Sequence, residues 1–395
     1  MITKDRISEL TVKNIRFVQE TYKRLHQHPE LSFKEFETSK YIREQLKELD
    51  IPFREGYATT GILGVLRCRN PRKRTVVLRA DMDALPLTEE TNLPYKSQHN
   101  GIMHACGHDA HTASLLGTVR ILNFLKDELE GTFLFLFQPA EEKFPGGAKT
   151  MLNEKVFEGF TPDVILAQHV NPSMTLGKVG FRPGVITAAV DEIYITVNGI
   201  GGHGALLKES NAVLASAAIL LSLQDIPMKL APVKDETVLS FGRFSAQGAM
   251  NVIPGKVEMD GTLRTMDEKW RDEALKSVVD IAEKTAAEYG CNAEINIKRS
   301  YPGIINDDLL STCAEMYARD FLGRENVILL DKQMTSEDFG YFSQIYPSLF
   351  YRVGTKSDKV KSGGLHSPVF AIDLDVLEIT TATMSWLAVN FMKER

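Results

Sequence analysis

Residues that commonly bind metal ions follow several short apolar runs of this sequence. Each run is bounded by turn-forming residues, as is typical of a buried β-strand. The runs and the residues that follow them are Val76–Leu78 with Asp83, Phe133–Phe137 with Glu141 and Glu142, Val164–Ala167 with His169, and Leu349–Val353 with His366. Because ligands bind at the carboxyl ends of parallel strands in α/β proteins, we expect these side chains to meet at one edge of a sheet.

A further group of such residues lies in the segment Met103–His111, which ends a loop and opens a predicted helix. It adds Cys106 and His108 to the candidate ligands. Most buried cysteines are inert packing residues. Cys106, however, lies just before the helix, where the helix dipole favours a thiolate, the form of cysteine that binds metal.

The candidate ligands predict a particular class of metal centre. They are Cys106, His108, Glu142, His169 and His366. A thiolate, three imidazoles and a carboxylate suit Zn²⁺ and also accept Mn²⁺, Co²⁺ or Ni²⁺. Five ligands are too many for one open catalytic site, but they suit two ions about 3.5–4 Å apart with a bridging group. Two divalent ions with two anionic ligands also favour an anionic substrate.

Glu141 is the candidate general base of this centre. On an extended backbone it cannot point the same way as Glu142, which leaves its carboxylate free to take a proton from water. A structural interpretation stays open for each residue alone: adjacent glutamates are usually a solvated pair, and Asp109 is a possible N-cap of the predicted helix. The shared position at strand ends favours the catalytic interpretation.

A second motif indicates a different function. Residues Gly199–Gly204 match the dinucleotide-binding fingerprint, follow a predicted strand and precede Asp225 by about 20 residues. In the dinucleotide-binding fold the acidic residue ends a second strand, whereas Asp225 comes directly after a predicted helix. A nucleotide-binding oxidoreductase is therefore the alternative from another class of protein. Within the motif, the Gly-rich turn presents the imidazole of His203 with little steric cover.

The elements that must position these residues alternate between helices and strands. Helical spacing of apolar residues recurs through residues 1–49 and Thr112–Leu129, and apolar strands follow. This order predicts an α/β fold with a mostly parallel central sheet sandwiched by helices. At residues 185–299 the order strand–helix–strand–strand–helix–strand predicts an inserted ferredoxin-like α+β domain. We expect residues 1–184 plus 300–395 to form the catalytic metallohydrolase domain.

Composition argues against several other classes of protein. The 395 residues carry 46 basic and 52 acidic side chains, a net charge of −6, without the basic surface of a nucleic-acid-binding protein. The longest apolar stretch, Ala212–Leu223, is shorter than the roughly 18 residues of a membrane span. The charged N-terminus is unlike a secretory signal. Four cysteines do not form a disulfide framework, so we expect reduced thiols and a cytoplasmic location.

Taken together, the motifs resemble a known family, the amidohydrolase branch of the metal-dependent aminoacylase/carboxypeptidase superfamily of zinc exopeptidases. That branch includes hippurate hydrolases, N-acyl amino acid hydrolases, auxin-conjugate hydrolases and N-acetyldiaminopimelate deacetylases. The matching motifs span nearly the whole chain in order: Leu25–Leu31, Arg79–Pro86, His104–Asp109, Gln138–Glu142, Gln168–His169, Gly201–His203, Asn251–Pro254, Gly261–Arg264, Ser336–Phe339 and Leu365–His366.

The resemblance implies a role for individual residues. It places the metal ligands on the five residues proposed above, the general base on Glu141, and a carboxylate that orients a metal-binding imidazole on Asp83. It also implies that the inserted domain forms a homodimer and supplies His203, often across the dimer, to stabilise the oxyanion. Asn251 and Arg264 would then bind the substrate carboxylate.

We therefore expect a dinuclear-metal amidohydrolase that uses metal-activated water to cleave N-acyl amino acids of the N-acetyl or N-benzoyl type. A metallo-dipeptidase or carboxypeptidase on the same scaffold is the closest alternative. A non-catalytic metal-binding protein is a third, disfavoured because Glu141 has no evident structural duty. Relatives follow the Gly-Gly-His motif with small residues and a proline, whereas this chain has Leu206, Leu207 and Lys208. Substrate specificity and subunit contacts are expected to differ there.

Overall fold

The computed structural model describes residues 2–206, 209–233 and 236–393. Contacts divide the chain into two compact units: Met1–Gly184, Ile305–Asp331 and Asp338–Arg395 form the first, and Val185–Ile304 and Lys332–Glu337 form the second. This division differs from the predicted boundaries at residues 300–304 and 332–337. The second of these segments joins the second unit because the Ala188 N–H donates hydrogen bonds of 3.1 Å to the carbonyls of Gln333 and Thr335.

Helices and strands alternate along most of the chain. In chain order the helices are α1 (Lys4–Gln27), α2 (Phe36–Glu48), α3 (His108–Phe124), α4 (Gly147–Asn153), α5 (Ala212–Leu223), α6 (Glu268–Glu288), α7 (Asp308–Leu322), α8 (Gly340–Ser343) and α9 (Val376–Lys393). The strands are β1 (Phe53–Tyr57), β2 (Gly61–Arg67), β3 (Thr75–Asp81), β4 (Thr132–Gln138), β5 (Val164–Thr175), β6 (Val179–Phe181), β7 (Gly184–Val185), β8 (Ala189–Asn198), β9 (Gly202–His203), β10 (Thr237–Ala246), β11 (Val252–Ile253), β12 (Lys256–Thr265), β13 (Asn292–Arg299), β14 (Ile305–Asn306), β15 (Val327–Leu329) and β16 (Ser348–Lys356).

The first unit is built on an eight-stranded sheet of order β1-β2-β4-β3-β5-β16-β6-β15. Its four central strands, β4, β3, β5 and β16, run parallel to one another. Antiparallel pairs flank them, between β2 and β4 on one side and between β16 and β6 on the other. The prediction of a mostly parallel sheet with helices is confirmed, and the carboxyl ends of the central strands meet at one edge.

Burial explains why these segments form a sheet core. All seven residues of β4 are buried, as expected of a parallel strand covered on both faces. Helix α3 is buried along most of its length because it packs against α1 and α9 as well as against the sheet. The apolar runs that predicted strands are therefore the interior of this unit.

The second unit contains a four-stranded antiparallel sheet of order β10-β12-β8-β13, with α5 and α6 packed against it. Along β8, buried and half-buried residues alternate strictly, which is typical of a sheet with one covered face. The element order β8-α5-β10-β12-α6-β13 matches the predicted ferredoxin-like pattern. This separate antiparallel domain confirms the predicted fold class.

Helix α5 belongs to an apolar stretch that is longer than the sequence predicts, because a π-helical turn at Ile226–Leu230 extends it. By length and composition alone, Ala212–Leu230 (19 residues) is long enough to cross a membrane, with 28% of the apolar window buried. A single helix of this kind is weak evidence for a membrane span. Ala215 and Ile219 on one face of α5 lie in the core of the second unit.

Candidate active site

Ligand-type side chains of the first unit converge beside the central strands. In each of three groups, the potential ligand atoms lie within 4.8 Å of one another: Cys106–His108–His169, Cys106–Glu142–His366 and His108–Glu141–Glu142. Because they share residues, the groups form one cluster, which we call the ligand cluster. It brings together all five predicted metal ligands and the predicted base Glu141, whose roles remain predictions.

Local backbone geometry presents these side chains. Gly107, between Cys106 and His108, has a φ of +87°, and a Cβ there would lie 2.5 Å from Val170 Cγ2, so only glycine fits the turn that opens α3. The His366 N–H donates a hydrogen bond of 2.8 Å to the Ala105 carbonyl, which ties His366 to the same turn. His169 lies inside β5, not beyond a strand end as predicted, because β5 continues to Thr175.

Two of the histidines are oriented as metal ligands are. His108 Nδ1 lies 3.0 Å from the Asp83 carbonyl oxygen and 3.2 Å from Asp83 Oδ1, and His169 Nδ1 lies 2.7 Å from the Val170 carbonyl oxygen. In both rings Nδ1 faces a hydrogen-bond acceptor, which leaves Nε2 as the nitrogen that is turned towards the cluster. His169 Nε2 lies 3.5 Å from Cys106 Sγ.

Asp83 is the buried centre of the hydrogen bonds around the cluster. Besides His108, its carboxylate accepts from the Ser32 hydroxyl at 2.6 Å and from the backbone N–H groups of Glu141 and Glu142 at 3.1 and 3.0 Å. Burial alone would raise the pKa of Asp83, but these hydrogen bonds, led by that from His108, lower it overall. This charged carboxylate supports a ligand and the Glu141–Glu142 backbone at once, as predicted for an orienting residue.

The two adjacent glutamates do not diverge as the sequence predicts. Ala140, before them, has a φ of +52°, so the chain turns instead of continuing the extended path of β4. As a result, carboxylate oxygens of Glu141 and Glu142 lie within 4.8 Å of each other and of a ring nitrogen of His108. The expectation that they point apart is wrong because it assumed an extended backbone.

The cluster has the properties of a cation site. Among the residues that the structure describes, none forms a hydrogen bond with His108 Nε2, although this nitrogen is fully buried. An unpaired buried nitrogen of this kind is costly unless a ligand takes its lone pair. Hydrogen bonding to Cys106 and Glu142 raises the pKa of His366 to about 10. Sulfur, nitrogen and carboxylate donors at these distances fit Zn²⁺ or a similar divalent ion.

The ionisation of the thiol differs from the expectation based on the helix dipole. Burial raises the pKa of Cys106, and the nearby Glu142 carboxylate raises it further. By contrast, burial and the charge of Arg352 lower the pKa of His169 well below its usual range, so this ring is neutral, as a ligand must be. A bound cation would be needed to stabilise the Cys106 thiolate.

Sequence reasoning did not assign a buried polar network beside the cluster. Asp81, the last residue of β3, binds His111 Nδ1 at 2.6 Å and the Arg79 guanidinium at 2.6 Å. His111 Nε2 in turn accepts from the Val170 N–H at 3.0 Å. Both ring nitrogens of His111 are therefore engaged, which distinguishes it from His108, whose Nε2 has no hydrogen-bond partner among the described residues. His111 follows His108 by three residues, about one helical turn, and this spacing is the sequence signal that the two side chains lie close together.

Asp109 is not the N-cap of α3, the structural role that the sequence offers for it. The N-cap position of α3 is Gly107, whereas Asp109 Oδ2 lies 2.6 Å from His26 Nδ1. Glu89 binds the other nitrogen of this ring at 3.2 Å. Burial lowers the pKa of His26, but the two carboxylates raise it to about 9 overall. This buried ion pair links α1 to the turn that carries His108.

The other predicted site residues lie in the second unit. His203 is exposed on β9 and pairs with Val252 of β11, and the Asn251 carbonyl accepts a hydrogen bond of 2.9 Å from the Gly204 N–H. The Arg264 guanidinium donates to the Met334 carbonyl at 3.0 Å. The structure thus brings His203 and Asn251 together at the two-stranded sheet of β9 and β11, and their roles, with that of Arg264, stay predictions. Of the atypical segment, Leu206 is exposed, and Leu207 and Lys208 lie outside the described residues.

The geometry around β9 also bears on the alternative nucleotide site. After β8, residues Gly199–Gly204 contain β9, which pairs antiparallel with β11. Helix α5 begins only at Ala212, so the glycine motif does not open a helix as the dinucleotide fingerprint requires. The motif therefore builds a turn that carries His203.

Comparison with known proteins identifies the family. Residues 77–390 match the model of peptidase family M20/M25/M40. The chain belongs to this family. It is 36% identical to an N-acetylcysteine deacetylase of Bacillus subtilis (strain 168), an alignment that covers 92% of this chain and 94% of that protein. It is also 34% identical to the IAA-amino acid hydrolase ILR1-like 2 of Arabidopsis thaliana, covering 94% and 84% of the two chains.

A solved structure of the M20 family shares the whole fold. The Bacillus subtilis YXEP protein, described as a dinuclear metal binding peptidase of this family, superimposes with a TM-score of 0.84 at 33% identity, covering 96% of this chain and 99% of that one. The predicted resemblance is therefore confirmed, as is the prediction of a metal-dependent amidohydrolase at the level of the family.

Proposed function

We propose that this M20-family enzyme uses two divalent metal ions to hydrolyse the amide bond of N-acyl amino acids. The ligand cluster carries the proposal, because it gathers five sulfur, nitrogen and oxygen donors and places Glu141 beside two of them, His108 and Glu142. The relatives named above as a deacetylase and an amino acid conjugate hydrolase support the same bond type. When bound, the ions would polarise the amide carbonyl and lower the pKa of a water molecule.

In this proposal the metal ligands, the base and the orienting residue have separate roles. Cys106, His108, Glu142, His169 and His366 hold the ions. Glu141, whose carboxylate has an oxygen 3.9 Å from His108 Nε2, accepts the proton of the attacking water and returns it to the leaving amine. Asp83 keeps His108 in the tautomer that presents Nε2 inward.

The second unit is proposed to complete the site through a homodimer. Leu214, Leu221 and Met228 form an exposed apolar row on α5 and its extension, the last two with 75% and 76% of their surface exposed. The neighbouring strand β10 is an edge of its sheet and is open to pairing. We propose that a second copy covers this face and that His203 stabilises the oxyanion of the reaction. Asn251 and Arg264 are proposed to bind the substrate carboxylate.

A substrate panel tests the proposed bond type. The metal-loaded enzyme is assayed with N-acetyl and N-benzoyl amino acids, with the corresponding esters of their α-carboxylates, and with unblocked dipeptides. We expect the free acids of the N-acyl amino acids to give the highest kcat/KM, since the site favours an anionic substrate. Preferential hydrolysis of unblocked dipeptides would show instead that the enzyme is a dipeptidase.

A further inference from the structure

The turn that carries Glu141 and Glu142 is held by two buried carboxyl groups, which accept the N–H groups of three successive residues. Asp83 accepts the N–H groups of Glu141 and Glu142, as described above. The preceding N–H, that of Ala140, donates to Glu35 Oε1 at 2.9 Å. The N–H groups of Ala140, Glu141 and Glu142 thus all donate to carboxyl oxygens, and Glu35 supplies the one that Asp83 does not.

Ala140 is the residue of this turn that most needs support. Its φ of +52° is in the left-handed region, which costs a residue with a side chain about 1–2 kcal/mol. The Gly147 N–H binds the Ala140 carbonyl at 2.9 Å, and a Cβ on Gly147 would lie 1.8 Å from the Pro139 carbonyl oxygen. The strained residue Ala140 is therefore held on both sides: Gly147 binds its carbonyl, and Glu35 binds its N–H.

Glu35 is arranged as a rigid acceptor. Its side chain is fully buried, Oε1 also accepts from the Phe33 N–H at 3.0 Å, and Oε2 accepts from the Thr60 hydroxyl at 2.7 Å. Burial raises the pKa of Glu35 to about 7, the nearby charge of Asp83 adds to that rise, and the hydrogen bonds oppose it. Three donors therefore face the buried Glu35 carboxyl group, and their hydrogen bonds offset part of the cost of its burial.

We propose that Glu35 is a positioning residue for Glu141: it holds the Ala140 peptide in the left-handed conformation that aims the Glu141 carboxylate into the ligand cluster. This inference rests on the proposed role of Glu141 as the base. Asp83 holds the N–H groups of both glutamates. Because the Ala140 residue that Glu35 holds directly precedes Glu141, Glu35 acts on the base more than on the metal ligand Glu142. A misplacement of about 1 Å is enough to cost a reaction on the order of 10²-fold.

The first test compares two substitutions of Glu35 on metal-loaded enzyme, with kcat expressed per folded, metal-bound chain. Glu35→Ala removes the acceptor, and we expect kcat to fall roughly 10- to 100-fold with KM and metal content little changed. Glu35→Gln keeps an oxygen that accepts the Ala140 N–H and should recover most of that loss. A Glu35→Ala enzyme with the parent's kcat per folded chain, or a Gln variant no better than Ala, would overturn the inference.

Glu30 provides the matched control from the same segment. Its carboxylate accepts the N–H groups of Glu37 and Thr38 at 3.1 and 2.8 Å, so it supports the start of α2 and not the Ala140 turn. Glu30→Ala should lower thermal stability without lowering kcat. A fall in kcat equal to that of Glu35→Ala would mean that any loosening of this segment slows the enzyme, and would contradict a specific role of Glu35.

A double-substitution cycle separates this inference from the proposed function. If Glu35 acts through Glu141, adding Glu35→Ala to Glu141→Gln should barely change the residual turnover, because the base is already absent. Equal losses in both backgrounds would overturn the positioning role while leaving Glu141 as the base. A Glu141→Gln enzyme with the parent's turnover would overturn both. If Glu35→Ala does not fold, Thr60→Val, which removes the donor to Oε2, takes its place in the cycle with a smaller expected loss.

Discussion

The Glu141→Gln enzyme is expected to bind its metal ions normally and to lose roughly 10²- to 10⁴-fold in kcat, the contribution typical of a positioned acid–base group. Glutamine has the size of glutamate and keeps one oxygen, but it does not accept a proton at working pH. Asp83 holds the backbone of residue 141 through its N–H, so the turn should keep its shape. The measurement is steady-state hydrolysis of an N-acyl amino acid beside metal analysis of the same sample.

An exposed glutamate gives the matched control for this change. Glu158→Gln makes the same substitution at an exposed position outside the ligand cluster, and it should leave kcat unchanged. A Glu141→Gln enzyme that retains full metal content and nearly the parent's kcat would show that another group moves the proton. Loss of metal along with activity would instead assign Glu141 to the ligands.

For His203→Ala we expect a fall in kcat of roughly 10²- to 10³-fold, the size of losing one donor to an oxyanion. His203 is exposed and lies outside the ligand cluster, so metal content and thermal stability should stay close to those of the parent. Ile200→Ala, which removes an exposed side chain from the same Gly-rich turn, is the control and should retain activity.

The proposed homodimer adds a sharper form of this experiment. If His203 serves the site of the other subunit, inactive Glu141→Gln protein mixed with inactive His203→Ala protein should recover part of the activity. Each mixed dimer would contain one site in which both groups are native. Absence of recovery, after subunit exchange has been demonstrated with labelled chains, would show that His203 does not act across the dimer.

Much of the fold follows from local sequence pattern. The apolar run Phe133–Phe137 becomes β4 and the run Val76–Leu78 becomes β3 because both strands are buried on two faces. The alternation around Ile193 and Ile195 becomes β8 of the antiparallel sheet. Element ends were less predictable: β5 runs on to Thr175 since its parallel partner β16 continues beside it, and no local signal marks such tertiary pairing.

The site was predictable as a set of ligands but not as a network. Residue types and strand ends were enough to select Cys106, His169 and the other donors. What the sequence could not show is the left-handed peptide at Ala140, because alanine carries no signal for that conformation. The contact between Glu35 and this peptide joins residues 105 positions apart, so it depends wholly on tertiary packing.

Metal titration of the depleted enzyme tests the central claim most directly. Ions are removed with a chelator, and Zn²⁺, Mn²⁺ or Co²⁺ is returned in steps while bound metal and hydrolysis of an N-acetyl amino acid are measured together. The proposed dinuclear site predicts that the depleted protein is folded but inactive and that full activity returns when two ions are bound per chain. Full activity in the depleted protein, or complete recovery with a single ion, would contradict it.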